Sequence, residues 1–499
     1  MNRRASSGSV CFSMFYFNLY ILKSPQAPIL NSELSRSSHA ALLFTSQMSS
    51  LATAKTMLSE DESIFDLTGP REMLTKEMAI EYFGVIKHPE KVHKICFSTK
   101  SFGDDAAEIA ASAIVKMTNL KVADLSDFIA GRETSIGLRV LNKVSTALAA
   151  TQLVELDLSE NALGPRGVES CRPLLASKDT LESLSFCNDG LSAEAMEIIQ
   201  RLLLFRGTDN PTRLKTLRFH NNMSGSGGAV AISKVLEQSP LLEHFELSST
   251  RCGREGGLCL CKALGNCPNL KSVNVCDNTF GAEGGEVLAQ SLIGKTSLEI
   301  LKVGDVTLED QGTHAILKIL SDSRATSALR ILSLEANDIT FEGLQCLQDV
   351  FRRQTKLERL ILDDNCDLGS RGALRVSRAL KFASALNTLS MKSCDLKRAG
   401  AVAIVESLKP RKETSGQTLT VLLDENRISE EGVTLINDMF ATDLQGSAVL
   451  GPLDDNDDEA SEDEEFDDDD VEADVSAENA SAAANVEDDI AGTLDKLSL

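Results

Sequence analysis

The sequence contains no tryptophan and only three tyrosines, and aromatic residues make up 4% of its 499 positions. A core of the size that this length allows must therefore be built mainly from aliphatic side chains, which suits repeated layers of leucine. The motifs G-x-x-x-x-G-K-[ST], G-x-S-x-G and H-E-x-x-H are all missing. These absences argue against nucleotide binding through a P-loop and against ester or peptide hydrolysis by a known motif.

The twelve cysteines have no paired spacing, so a disulfide framework is not expected. Single cysteines at strand and turn positions are typical of reduced, buried residues in an intracellular protein. The alternative is a metal site formed by Cys252, Cys259, Cys261 and Cys267. However, Cys259 and Cys261 are two residues apart on a predicted helix and lie about 200° apart around its axis, so they are poorly placed to share one ion. We expect no metal and no other cofactor in this chain.

The dominant feature of the sequence is the pattern L-x-x-L-x-L-x-x-N, which returns about every 28 residues. The first positions of its twelve copies are Val92, Leu120, Leu153, Leu181, Leu214, Leu242, Leu270, Leu298, Leu329, Leu357, Leu386 and Thr418. Six of the eleven intervals are 28 residues and the others are 29 to 33, as expected for one unit with short loop insertions. A period of this length is typical of a leucine-rich-repeat solenoid.

Each copy of the repeat has two halves. Leu214, Leu217 and Phe219 alternate as expected for the inward face of a short strand, and Ala231, Ile232, Val235 and Leu236 then mark the apolar face of a helix. The predicted fold is therefore α/β, a leucine-rich-repeat horseshoe with a concave parallel sheet and convex helices. Between the halves, the ninth-position asparagine is predicted to close the turn by hydrogen bonds to the backbone, a structural role assigned to Asn161, Asn222, Asn278 and Asn337.

Four segments are predicted on this basis: an N-terminal extension (1–59), a capping segment (60–91), the repeat domain (92–445) and an acidic tail (446–499). Two explanations of the extension stay open, a targeting peptide and a start placed upstream of Met48, and the second is favoured. From Asp454 onward the chain has 20 acidic residues and one lysine, a net charge of −19. The tail is expected to be disordered, either as a solubility tail or as a segment that attracts a basic partner.

Four short segments carry residues that the repeat consensus does not explain. They are K-I-C-F-S-T-K-S-F-G at 94–103, D-L-S-D-F-I-A-G-R at 124–132, L-D-L-S-E-N-A-L-G at 156–164 and F-H-N-N-M at 219–223. These segments resemble those of the Ran GTPase-activating proteins, especially their plant branch. Generic ribonuclease-inhibitor-type repeats share the leucine pattern but account neither for these segments nor for the acidic tail.

The resemblance implies an activator of GTP hydrolysis by the small GTPase Ran, not an enzyme with its own active site. Members of the family are understood to act without an arginine finger, by orienting the catalytic glutamine of Ran. An asparagine suits this role because its amide is both donor and acceptor and carries no charge. Since Asn222 is the turn residue, the role is assigned to Asn221, with His220 and Met223 as flanking partner contacts. Arg132 matches the family's Gly-Arg and is predicted to contact the partner or to order its loop.

The implied partner is Ran in its GTP form, with a Ran-binding protein as a further candidate, and the GTP and magnesium belong to that partner. Nothing suggests nucleic acid or a membrane, and a monomer is expected. Because the chain has no tryptophan, the Trp-Pro-Pro tether of plant members is missing. The resemblance therefore implies a role in nucleocytoplasmic transport from the cytoplasm, with the nuclear envelope as the alternative location. The competing hypothesis is a leucine-rich-repeat scaffold or inhibitor with no GTPase-activating role.

Overall fold

The computed structural model describes residues 57–177, 179–205, 211–410 and 418–456. All of them belong to one compact unit, Ala54–Leu499. The predicted targeting segment or upstream start, and the part of the acidic tail from residue 457 onward, lie outside the described residues.

The described strands form one long parallel sheet and one short one. They are β1 (Ile64–Asp66), β2 (Glu72–Leu74), β3 (Lys94–Cys96), β4 (Lys100–Phe102), β5 (Val122–Asp124), β6 (Glu155–Asp157), β7 (Ser183–Ser185), β8 (Thr216–His220), β9 (His244–Ser248), β10 (Ser272–Asn274), β11 (Ile300–Lys302), β12 (Ile331–Ser333), β13 (Arg359–Ile361), β14 (Thr388–Ser390), β15 (Leu419–Leu422) and β16 (Ala448–Leu450). In the long sheet, fourteen of these described strands lie side by side in chain order, and all neighbours are parallel. The remaining two, β2 and β4, pair with each other.

Helices connect the successive strands. They are α1 (Lys76–Phe83), α2 (Asp104–Ile114), α3 (Thr134–Ala149), α4 (Gly164–Ser170), α5 (Arg172–Leu175), α6 (Ala193–Leu203), α7 (Gly225–Leu236), α8 (Arg254–Leu264), α9 (Gly281–Ser291), α10 (Glu309–Ser321), α11 (Leu347–Arg353), α12 (Gly369–Leu380), α13 (Arg398–Ser407) and α14 (Glu430–Thr442), with 3-10 helices at Pro89–Lys91 and Phe341–Leu344. Parallel neighbours require such crossover connections, and each helix packs against the helices of adjacent repeats. The predicted α/β leucine-rich-repeat solenoid is confirmed.

The repeat positions read from the sequence correspond closely to the observed strands. In eleven of the twelve copies the strand begins two residues after the predicted first position, as for Leu153 and β6, and at Thr418 it begins one residue later. The ladder residues Leu214, Leu217 and Phe219 are at most 2% exposed. The four apolar residues predicted for the helix that follows are equally buried. The strand and the helix of one repeat therefore bury their apolar faces in a common core.

The ninth-position asparagines connect neighbouring repeats. All four that were assigned to turns are at most 6% exposed. In Asn337, the side-chain oxygen accepts hydrogen bonds from the backbone N–H groups of Val306 and Leu308, both at 3.1 Å. Its amide nitrogen donates to the carbonyl of Val303 at 2.7 Å and to that of Leu334 at 3.1 Å. Each such amide thus satisfies buried backbone groups in its own turn and in the turn before it.

Phenylalanine side chains fill the first layers of the core. Ring centroids in this cluster are 5.0 to 6.5 Å apart, and the rings belong to Phe65, Phe83, Phe97, Phe102 and Phe128. The expectation of aliphatic layers is therefore wrong for this end of the solenoid. Aromatic pairs contribute about 0.5–1.5 kcal/mol each beyond their buried area, which helps to close an end that lacks a preceding repeat.

The long sheet extends beyond the predicted repeat domain at both ends. Strand β1 lies in the predicted capping segment and pairs Ile64 with Lys94 of β3. Strand β16 lies in the predicted tail and pairs with β15, and Asn456 accepts the N–H of Asn426 at 3.0 Å. Strand pairing in the long sheet therefore runs from residue 64 to residue 450, into the predicted capping segment and into the predicted tail. Neither end matches the leucine pattern, which is why the sequence did not indicate them.

The cysteines are distributed as the helix geometry requires. None of the eleven cysteines among the described residues forms a disulfide, and on α8 Cys259 is exposed whereas Cys261 is buried. Within the described residues, no group of three or more His, Cys, Asp or Glu side chains could hold a metal ion. The helices in this part of the chain are each too short or too polar to span a bilayer.

Asp189 occupies a ninth position where asparagine is the consensus, and its side chain is completely buried. One carboxyl oxygen accepts the N–H of Asn161 at 2.9 Å, and the other has no hydrogen-bond partner. Burial, together with the charges of Asp157 and Glu160, raises the pKa of Asp189 to about 8. A protonated carboxyl resembles an asparagine amide in shape and can donate a hydrogen bond, so the neutral form suits the ladder.

The variant Asp189→Asn should stabilise the protein and flatten its pH dependence. Because the folded-state pKa lies above that of an unfolded aspartate, the contribution of Asp189 is fully present below the unfolded value and is lost as the pH rises through about 8. One such group changes the free energy of unfolding by at most about 1.4 kcal/mol per pH unit. Urea unfolding between about pH 5 and about pH 9 measures this slope. Equal slopes for the wild type and the variant would contradict the role of Asp189.

Removal of residues 454–499 should destabilise the last repeat, whereas removal of residues 457–499 should not. The first truncation deletes Asn456, which accepts the buried N–H of Asn426. A buried donor without an acceptor costs about 1–3 kcal/mol, and the effect stays near the end because each repeat contacts only its neighbours. Hydrogen exchange of α14 distinguishes the two truncations. The same exchange rates in both would show that Asn456 does not stabilise the last repeat.

Candidate functional site

The residue before each ninth position has a left-handed backbone conformation. We call these twelve residues the strand-end row, and their φ values lie between 49° and 67°: Thr99, Asp127, Glu160, Asn188, Asn221, Ser249, Asp277, Asp305, Ala336, Asp364, Ser393 and Glu425. This conformation costs most residues about 1–2 kcal/mol but suits asparagine and aspartate. Asparagine is therefore compatible with the left-handed backbone conformation of residue 221, and it also has the amide that the predicted partner contact requires.

Asn221 follows the longest strand pairing in the described sheet. Strands β8 and β9 have five residues each, whereas the other described strands have three or four. The two strands pair over all five positions, from Thr216 opposite His244 to His220 opposite Ser248. Directly after this pairing, the N–H of Asn221 donates to the carbonyl of Ser248 at 3.0 Å. The backbone of Asn221 is therefore held by the adjacent repeat up to the residue itself.

Asn221 and Asn222 face opposite directions. Asn222 is 2% exposed, and its side-chain oxygen accepts the N–H groups of Asp189 and Leu191 at 3.2 and 3.0 Å. Its amide nitrogen donates to the carbonyl of Phe186 at 2.8 Å. Asn221 is exposed, as expected for a residue that contacts a partner.

The amide of Asn221 has an interaction within the chain that the repeat pattern does not indicate. Its nitrogen donates to the side-chain oxygen of Asn188, the row residue of the preceding repeat. The amide nitrogen of Asn188 in turn donates to a carboxylate oxygen of Glu160, one repeat earlier. The three side chains form a chain of hydrogen bonds across β6, β7 and β8. All three residues occupy the same position of the repeat, so an alignment of the twelve copies of the repeat places them in one column.

His220 is the first member of a polar network on the outward face of β8 and β9. Its Nδ1 lies 2.9 Å from the hydroxyl of Ser248, which donates to Glu246 at 3.1 Å. Arg218 donates to the other oxygen of Glu246 at 2.9 Å. Burial alone would raise the pKa of Glu246, but the hydrogen bond and charge of Arg218 outweigh it and lower that pKa. Because Ser248 gives its proton to Glu246, its oxygen can accept a hydrogen bond from Nδ1 of His220.

Met223 and Arg132, the other two predicted contacts, have different surroundings. Met223 is 59% exposed on the loop after the turn. Arg132 donates from Nε to the hydroxyl of Ser101 at 3.1 Å, and from Nη2 to the carbonyls of Leu74, at 3.2 Å, and Ser101. Burial lowers the pKa of Arg132. The guanidinium thus ties its loop to the N-terminal end, which is one of its two predicted roles, and contact of Arg132 with a partner stays a prediction.

The strand-end row is acidic beyond Asn221. Asp277, Asp305, Asp364 and Glu425 occupy it from β10 to β15. Burial and, after it, the charges of neighbouring carboxylates including Asp277 and Asp338 raise the pKa of Asp305. The acids of this surface lie 28 or more residues apart in the chain, so the sequence shows a concentration of negative charge only in the tail. A partner with a basic surface would be attracted to this part of the row.

Comparisons with known proteins agree with the repeat and with the resemblance. A family model described as "Leucine Rich repeat" matches residues 150–170 and 266–289. RAN GTPase-activating protein 2 of Arabidopsis thaliana is 41% identical over 139 residues, which cover 26% of this chain and 26% of that protein. Ran GTPase-activating protein 1 of Xenopus laevis is 29% identical over 183 residues, which cover 35% and 31%. The resemblance to Ran GTPase-activating proteins is confirmed.

A relative with a different name also matches. The Tonsoku-like protein of Danio rerio is 29% identical over 167 residues, which cover 33% of this chain and 11% of that protein. The chain thus spans about a third or less of the length of the relatives named here.

Asn222→Ala should destabilise the protein strongly, whereas Asn221→Gly should not. The first change leaves several buried backbone groups without partners and should lower the free energy of unfolding by about 2–4 kcal/mol. Glycine adopts the left-handed conformation of residue 221 without strain, so the second change should cost about 0.5–1 kcal/mol or less. Urea unfolding of both variants provides the comparison. Equal destabilisation would mean that Asn221 belongs to the structural ladder.

Proposed function

We propose that this protein is a GTPase-activating protein for the small GTPase Ran, with Asn221 as the residue that orients the catalytic glutamine of Ran. The observation that carries the proposal is an exposed asparagine held in a fixed backbone conformation at the end of the longest strand pair. The similarity to Ran GTPase-activating proteins supports the choice of partner. The activator supplies geometry, and the GTP and magnesium belong to the GTPase.

Geometry is a sufficient source of acceleration in such a reaction. In GTPases of this kind a glutamine orients the attacking water, and a mobile glutamine does so only part of the time. An asparagine amide can fix a glutamine amide by accepting from its nitrogen, which leaves the glutamine oxygen free to receive a proton of the water. An arginine finger elsewhere contributes about 10³ to 10⁵ in rate, or about 4–7 kcal/mol. Arg132 is engaged with Ser101 and Leu74, which supports a mechanism without a finger.

The remaining parts of the proposal follow from the same assignment. His220 and Met223 flank Asn221 and would contact the GTPase around its glutamine, and the acidic part of the strand-end row would attract basic residues of the partner. Ran in its GTP form is the proposed substrate, and a Ran-binding protein is a candidate for the same complex. Acting on Ran would place the protein in nucleocytoplasmic transport, as a monomer in the cytoplasm or at the nuclear envelope.

The alternative is a leucine-rich-repeat scaffold or inhibitor with no GTPase-activating role. The match to a Tonsoku-like protein favours it, because that relative does not carry the name of a GTPase activator. A scaffold would bind through the same exposed row, so binding to Ran alone does not separate the two functions. Only an activator accelerates GTP hydrolysis by Ran, so the rate of hydrolysis separates them.

Asn221→Gly should abolish most of the activation of GTP hydrolysis while binding of Ran–GTP is retained. Removal of one preorganised hydrogen-bonding group from a catalytic site costs about 10² to 10³ in rate. Single-turnover hydrolysis by Ran at saturating activator measures the rate constant, and titration of the activator measures the affinity. Glycine is preferable to alanine here because residue 221 has a positive φ of 49°.

The matched control is Asn269→Gly, which removes another exposed asparagine whose amide nitrogen donates to the preceding repeat, here to the carbonyl of Pro240 at 3.0 Å. Asn269 precedes β10, at the end of the strand opposite to the strand-end row. This variant should activate Ran like the wild type. If the wild-type protein binds Ran–GTP without accelerating hydrolysis, the scaffold function is favoured. If Asn221→Gly and Asn269→Gly both retain full activity, the assignment of Asn221 is wrong even though the protein activates Ran.

A further inference from the structure

We propose that Glu160 and Asn188 are positioning residues that fix the orientation of the Asn221 amide, with its side-chain oxygen directed toward the partner. The proposal rests on the proposed function, because the orientation matters only if Asn221 contacts the glutamine of a GTPase. It concerns two residues that neither the repeat pattern nor the resemblance assigned to the site.

The three residues are equivalent members of successive repeats. Glu160, Asn188 and Asn221 have φ values of 65°, 55° and 49° and follow the adjacent strands β6, β7 and β8. Each backbone N–H donates to a carbonyl of the next repeat: Glu160 to Cys187 at 2.8 Å, Asn188 to His220 at 2.9 Å and Asn221 to Ser248 at 3.0 Å. The three backbones are therefore fixed relative to one another, so the hydrogen bonds between the side chains join anchored groups.

The carboxylate of Glu160 determines the direction of the whole chain of hydrogen bonds. A carboxylate can only accept, so Asn188 must turn its NH₂ group toward Glu160. The oxygen of Asn188 then faces Asn221, and Asn221 must turn its own NH₂ group toward that oxygen. Reversing either amide would place two acceptors or two donors against each other. The side-chain oxygen of Asn221 is thus the atom directed away from Asn188.

This direction suits the role proposed for Asn221. An unrestrained asparagine amide can rotate by 180° and present its nitrogen or its oxygen, and only one of these accepts a hydrogen bond from the NH₂ group of a glutamine. With the oxygen presented, the glutamine oxygen stays available for the attacking water. Glu160 and the amides of Asn188 and Asn221 therefore select the productive orientation before the partner binds. The free energy of orienting the Asn221 amide then does not add to the barrier of the reaction.

Asn188→Gly should lower the rate constant of GTP hydrolysis by Ran at saturating activator about tenfold, because the amide of Asn221 loses its acceptor. The KM for Ran–GTP should change less than about twofold. Glu160→Gln should lower the rate constant less, since a glutamine can face Asn188 in either orientation. The double variant Glu160→Gln with Asn188→Asp should restore activity to within about threefold of the wild type. In that variant residue 188 becomes the obligate acceptor, and the net charge is unchanged.

Asn269→Gly is again the matched control and should leave both kinetic constants unchanged. A normal rate constant for Asn188→Gly would overturn the proposal, and so would a loss confined to KM, which would make Asn188 a binding contact. Failure of the double variant to recover while its unfolding is normal would also overturn it.

A second measurement separates this proposal from the proposed function. In protein labelled with ¹⁵N-asparagine, the side-chain amide signals of Asn221 should shift in Asn188→Gly and return close to their wild-type positions in the double variant. Unchanged signals in Asn188→Gly would show that Asn221 is not oriented by Asn188, whatever the activity. If the signals behave as expected but the wild-type protein does not accelerate hydrolysis by Ran, the proposed function is wrong. The orientation of the Asn221 amide by Asn188 is then still supported.

Discussion

The buried amide at the ninth position of the repeat is the interaction on which the rest of the structure depends. A turn at the end of each strand leaves backbone N–H and C=O groups inside the protein, and an amide is the side chain that can both accept from and donate to them. Asn337 does so with two backbone donors and three carbonyls, in its own turn and in the one before. Asp189 shows the cost of an imperfect substitute, since one of its buried oxygens has no partner.

The same turn gives rise to the exposed row. The residue before the ninth position takes a left-handed conformation in all twelve predicted copies of the repeat, including those whose ninth residue is Phe128, Val306 or Cys394. The strand-end row thus repeats the same backbone position along one edge of the sheet. The side chains at these positions determine what the surface can bind. At β7 and β8 these are the amides of Asn188 and Asn221, and further along the sheet they are mostly carboxylates.

The sequence allowed the repeated part of this arrangement to be predicted, because leucine spacing reports directly on strands and on buried faces. The distinction between Asn221 and Asn222 followed from counting positions within a single copy. The end strands β1 and β16 could not be predicted in this way, since they pair like repeats without the leucine pattern.

Contacts between copies were also missed, for a different physical reason. Asn188 donates to Glu160 and Asn221 donates to Asn188, across 28 and 33 positions of the chain, and periodicity within one copy says nothing about these hydrogen bonds. The resemblance pointed to Arg132 as a partner contact or a loop-ordering residue, but it did not indicate that the guanidinium reaches back to Leu74.

The choice of an amide at residue 221 is not dictated by the backbone alone. Six of the twelve members of the row are aspartate or glutamate, so an acid is compatible with this conformation. In the proposed function, however, the residue at 221 would lie near the phosphates of GTP, where negative charge builds up as the bond to the leaving group breaks. A carboxylate there would oppose the reaction, whereas an amide accepts the same hydrogen bond from a glutamine without a full charge. The one carboxylate in the chain of hydrogen bonds, Glu160, lies two repeats away, where it can orient both amides while Asn188 separates it from the partner.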